Sequence, residues 1–283
     1  MLRVRIVLAC LLIAAPQHAA ASGHGPVFGA APPTLGKGGW QLDQAWMGRL
    51  GRGRMDDEQM LRTMLSVGIT EDLQISGSLP ITLDSGIYMP RGRTMAMMSS
   101  NQDLEAIVGW RFQRRAVGAG ARLESTVFVG ATAPLQQYRS DGMLAAPSIN
   151  VSAASGYASR THYLWVGGGY QYFSERQGDQ MGQSGYFSAV YGYRPPFLRV
   201  DYPKPDLRFF AEAIVEHTAQ GLHHGFPSVS GGDAVLVGPT ALLLYKQYGL
   251  EGGMLFPVYQ KAPFQPQEKF RFGVNFTYFF WRK

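Results

Sequence analysis

Apolar and polar residues take turns along most of the chain with a period of two. Such alternation marks β-strands whose two faces meet different surroundings. The pattern predicts about twelve strands. The first lies near residues 39–50, with Trp40, Leu42 and Trp46 on one face and Gln41, Asp43 and Arg49 on the other. The second, near 60–67, leads through GITED into a third where Leu73, Ile75, Gly77 and Leu79 alternate with polar residues. The fourth, over 103–113, sets Leu104, Ala106, Val108, Trp110 and Phe112 against Glu105, Ile107, Gly109 and Arg111. The fifth, over 121–131, sets Leu123, Val127 and Val129 against Arg122, Glu124 and Thr126. Further strands fall near 148–155, 162–173, 185–193, 207–216, 234–245, 248–258 and 270–281. The stretch 162–173 is ambiguous in face, because its three glycines weaken a strand unless it kinks or a neighbour comes close. At 207–216 the faces are clear: Leu207, Phe209, Ala211, Ala213 and Val215 oppose Arg208, Glu212 and Glu216.

Alternation alone fits a soluble β-sandwich, apolar inside, and equally a barrel in lipid, apolar outside. Other features separate them. The final stretch, FRFGVNFTYFFW, carries rings at alternate positions between Arg271, Gly273, Asn275 and Thr277. Connections alternate in length: GITED, RRAVGAG and KQY are short, whereas the segments after the third, fifth and ninth strands are long. Short turns at one end and long loops at the other characterise outer-membrane barrels, although RPPFLRVDYPKP is longer than that rule favours. The fold class expected is therefore all-β, a transmembrane antiparallel β-barrel of about twelve strands of the outer-membrane type.

The N-terminus supports this reading. Arg3 and Arg5 precede an apolar run from Ile6 to Ala15 and small residues at Ala19, Ala20 and Ala21, the order of a secretory signal peptide. The expected organisation is a signal peptide at 1–21, a periplasmic N-terminal segment at 22–37 and the barrel at 38–283. The Gly- and Pro-rich segment reads as an extended tether, with a plug inside the lumen as the alternative. Cys10 is the only cysteine and falls within the signal. Charged residues make up only 16% of the chain, against an average near 25%. The formal charge of +6 falls to +4 without Arg3 and Arg5. The basic residues are scattered, which gives nucleic acid no patch to bind. Outer-membrane lipid and a small-molecule solute are the partners expected.

The segments HGPVFGAAPPTLGKGGWQLD, SVGITEDLQISGSLPI, LVGPTALLLYKQYGLEGGMLFPVYQ and FRFGVNFTYFF resemble the outer-membrane proteins grouped under the meta-pathway of phenol degradation, often labelled transporters. The resemblance covers nearly the whole mature chain and rests on turn glycines and short motifs such as GIT-D and P-YQ. It implies an outer-membrane barrel that admits aromatic or other small hydrophobic compounds. It transfers no functional residues.

Function in such a barrel belongs to the inward face. Alternation places Glu105, Arg111, Arg122, Glu124, Arg208, Glu212, Glu216 and Arg271 there as candidate lumen-lining residues. They either select solutes or satisfy one another across neighbouring strands, as Arg111 and Glu124 would. No catalytic motif is legible: Glu212 and Glu216 share a face but lie about 13 Å apart on a strand, too wide for an acid/base pair. The expectation is a channel, with no enzyme activity and no cofactor. The alternatives are a non-conducting structural barrel, a copper-handling barrel or an outer-membrane hydrolase. For copper, Met95, Met97 and Met98 in one long loop and His223 and His224 in another are weak metal-ligand candidates, because thioethers suit Cu(I).

Overall fold

The structure is a computed structural model that describes residues 25–51, 58–83, 103–138, 142–198, 204–228, 231–261 and 267–281. Its strands are β1 (Gly39–Gly51), β2 (Glu58–Gly68), β3 (Leu73–Thr82), β4 (Asp103–Gly118), β5 (Ala121–Pro134), β6 (Ser148–Ala158), β7 (His162–Phe173), β8 (Ser184–Tyr193), β9 (Asp206–Thr218), β10 (Leu222–His223), β11 (Phe226–Pro227), β12 (Gly232–Tyr245), β13 (Tyr248–Lys261) and β14 (Glu268–Trp281). All the strands except β10 and β11 close into one antiparallel barrel of 12. Closure joins β1 to β14, from Gly39 opposite Trp281 to Leu50 opposite Phe270. Each of the 12 strands thus has a neighbour on both sides, the closure that hydrocarbon surroundings require. The strands β10 and β11 form a separate small hairpin in the loop after β9.

The twelve barrel strands stand where the period-two pattern puts them, with extended ends. The stretch RRAVGAG is mostly strand: β4 runs to Gly118, and the turn is only Ala119–Gly120, with Gly120 at φ 72°. The register of β4 on β5 slips at Phe112, a bulge that brings Ser125 opposite Gln113. Both ends of the barrel chain lie at the short-turn end. The exception there, 194–205, has a 3₁₀ turn at Pro196–Leu198 among its described residues, and Arg194 at its start pairs with Asp206 at 2.5 Å.

Outward positions are apolar. Leu104, Val108, Trp110 and Phe112 of β4 are each about half exposed, whereas Glu105 and Arg111 between them are buried. Rings gather toward the strand ends: Trp40 stacks on Phe280, and Tyr278 lies against both Phe280 and Tyr248. Trp46 meets Phe272 edge-on nearer the other end. Exposed hydrocarbon in a continuous band with flanking aromatics is the surface that a bilayer covers. The barrel spans the outer membrane. Among the described residues no helix is long and apolar enough to cross one.

The interior differs from a purely polar lining. Phe210 and Ile214 share the inward face of β9 with Glu212. Two apolar clusters form inside. One holds Ala45, Met47, Met60, Ile214, Leu236 and Leu255; the other holds Tyr163, Trp165, Val190, Phe210, Leu242 and Leu244.

Candidate functional site: the lumen and its N-terminal segment

The apolar clusters have a partner that the strands do not supply. Residues 25–37 run through the lumen, and Val27, Phe28, Thr34 and Leu35 are buried there. Val27 and Phe28 complete the first apolar cluster, and Leu35 completes the second. This corrects the expectation of a periplasmic tether: the described part of the segment is a plug. A chain rich in Gly, Pro and Ala makes few hydrogen bonds of its own. It stays extended and takes them from the wall.

The strongest attachment is Glu212. Its carboxyl oxygens accept the backbone N–H groups of Val27 at 2.9 Å, Phe28 at 2.9 Å and Gly29 at 2.6 Å, and the Thr240 hydroxyl at 2.5 Å. The Ala30 N–H donates to Ser188 Oγ at 3.0 Å, and the Leu35 N–H donates to Gln74 Oε1 at 2.8 Å. The Thr126 hydroxyl donates to the Pro32 carbonyl. The Gly38 N–H reaches the Gly68 carbonyl at 2.9 Å, where the segment enters β1.

Glycines in the wall make room for it. A Cβ on Gly167 would stand 2.6 Å from Ala30 Cβ, and one on Gly273 would stand 2.7 Å from Val27 Cγ1. The ambiguity of β7 is thereby resolved. Tyr163, Trp165 and Gly167 face inward; the close neighbour of Gly167 is the plug's Ala30, whereas Gly168 and Gly169 lie against Tyr186, Phe187 and Ser152 of the adjacent strands.

The other predicted lumen residues are buried or half-buried in the interior, in separate groups. Arg111 bridges Glu124 at 3.0 Å and Asp72 at 2.8 Å, and Arg122 joins the other oxygen of Glu124 at 2.8 Å. Arg271 binds Glu216 at 2.6 Å and Glu268 at 2.9 Å near the long-loop end. Arg208 pairs with Asp206 at 2.8 Å and lies over the Tyr163 ring. Glu105 accepts hydrogen bonds from Ser78 at 3.1 Å and Asn150 at 2.9 Å. The pattern missed Asp72, Asp206 and Glu268, which complete these groups from turns and strand ends. It also missed Arg62, buried among Asp43, Glu105 and Glu251. The wall around the plug therefore mixes these polar groups with the two apolar clusters.

His162 sits on the outer surface with Nδ1 2.9 Å from the Tyr191 hydroxyl, away from the lumen. Glu212 and Glu216 are each engaged elsewhere. At the long-loop end, His223 and His224 converge on Asp179, a residue the pattern did not single out. Burial of Asp179 favours its neutral form. That is outweighed by the N–H groups of His224 and Leu144 and by the two imidazoles, so its pKa lies below the ordinary carboxylate value. Met95, Met97 and Met98 lie outside the described residues.

No family model and no curated protein matches the chain. Among solved structures it is similar to an outer membrane channel from Pseudomonas putida F1. That likeness has 13% identity and a TM-score of 0.63, and covers 87% of this chain and 97% of the other. It is also similar to the NanC porin, with 8% identity and a TM-score of 0.51, covering 86% and 100%. At these identities the likeness concerns the fold, a closed outer-membrane barrel.

Proposed function

We propose that the protein is a passive outer-membrane channel for small molecules, and no enzyme, whose lumen residues 25–37 occupy in the resting state. One observation carries the reading: the wall leaves space wide enough for a stretch of backbone to run through it. Narrow barrels of about eight strands are filled by their own side chains. Here a detachable segment does the filling, held by hydrogen bonds to Glu212, Ser188, Gln74 and Thr126. Moving it aside opens a passage lined by Tyr163, Trp165, Val190, Phe210 and Leu242.

That lining of rings and aliphatics favours small apolar solutes over ions. The resemblance to the phenol-degradation group supports aromatic compounds as the class. Binding to rings and aliphatics is weak enough for release, which conduction demands. Liposome swelling tests the preference: phenol-sized aromatics should enter faster than charged solutes of equal size. Equal rates, or none, would remove it. The second reading, a non-conducting structural barrel, is favoured by the close fit of Val27, Phe28 and Leu35.

A further inference from the structure

We propose a divalent transition-metal site at the long-loop mouth, formed by Asp179, His223 and His224. It is independent of the channel reading. The three residues come from two loops that the fold presses together. Gln180 and Leu222 form an isolated bridge, and the Gly225 N–H donates to the Gly178 carbonyl at 2.8 Å. The turn of the β10–β11 hairpin places His224 at φ 52° and Gly225 at φ 81°, which swings two consecutive imidazoles to one side. Their ring centroids are 4.1 Å apart.

The donors converge. One ligand atom from each residue falls within a sphere where all lie within 4.8 Å of one another. His223 Nδ1 is 3.1 Å and His224 Nδ1 3.9 Å from the same oxygen, Asp179 Oδ1. Donors at 2.0–2.1 Å from a tetrahedral ion stand about 3.3–3.4 Å apart, so these separations bracket the requirement. The carboxylate is fixed in advance: its side chain is 2% exposed, Oδ2 accepts the Leu144 N–H at 2.9 Å and Oδ1 accepts the His224 N–H at 2.8 Å. The imidazoles are 42% and 74% exposed, which leaves the site open to solvent. Two imidazoles and a carboxylate suit borderline ions of the zinc class, in contrast to the thioether set that Cu(I) prefers. An ion there ties the loop after β7 to the loop after β9.

Zinc titration of the tag-free protein in detergent, followed by calorimetry, tests this. One ion per chain should bind. His223→Ala and His224→Ala should each weaken binding by on the order of tenfold or more, whereas His217→Ala, at the neighbouring pair with Asp233, should leave it unchanged. Heat-modifiable migration confirms that each variant keeps its barrel. The site is overturned if the parent protein takes up no stoichiometric zinc. It is equally overturned if the double His variant binds as the parent does, or if His217→Ala abolishes binding.

Discussion

Gly29 and Glu212, 183 positions apart in the chain, meet inside the barrel at 2.6 Å. The contact fixes a segment of N-terminal chain at mid-barrel. A Cβ on Gly29 would stand 2.3 Å from Val190 Cγ2 and 3.4 Å from Glu212 Oε2, so only glycine fits between these side chains.

Glu212→Ala should therefore loosen the plug without opening the barrel wall. The lost hydrogen bonds are worth about 1–3 kcal/mol in docking of the segment. Hydrogen exchange at the Val27, Phe28 and Gly29 amides should accelerate, while the strand amides of β9 and β12 keep their protection. Unchanged exchange at the three amides would mean that Glu212 does not hold them.

Gly167→Leu should act from the opposite wall. Its side chain occupies the position of Ala30, an overpacking that costs about 1–3 kcal/mol. Limited proteolysis should cut residues 25–37 sooner than in the parent protein. Equal protection would show that the segment does not pass Gly167.

The strands were legible because a barrel obeys a local rule: Leu207, Phe209 and Val215 declare one face, Glu212 and Glu216 the other. The plug was not, since its partners lie 39 to 185 residues away and a Gly- and Pro-rich stretch reads equally as a tether. A signal did exist. Gly68, Gly167 and Gly273 stand at inward positions of otherwise good strands, where a missing Cβ announces a close approach. Phe210 and Ile214 in phase with Glu212 likewise announced an apolar partner within the lumen. Asp179 carried no pattern at all: a lone carboxylate in a long loop becomes a ligand candidate only once another loop folds onto it.

Arg271→Met should destabilise the whole barrel. It strands the carboxylates of Glu216 and Glu268 in the interior, and breaking a buried pair costs about 3–5 kcal/mol. Denaturant unfolding from vesicles measures the loss. A midpoint equal to that of the parent protein would show that the charges are better hydrated than their burial implies.

Val108→Arg probes the lipid face. Val108 lies in the middle of β4 and points outward, so a charge there should cost about 2–4 kcal/mol of insertion free energy. Folding yield into lipid vesicles should fall accordingly. A neutral effect would place that face in water.

Single-channel recording in planar bilayers goes most directly to the central claim, with the parent protein beside a variant lacking residues 25–36. The parent should stay closed or open only briefly, and the deletion should give a steady open level. A deletion variant that inserts, keeps its heat-modifiable barrel and passes no current would contradict the account.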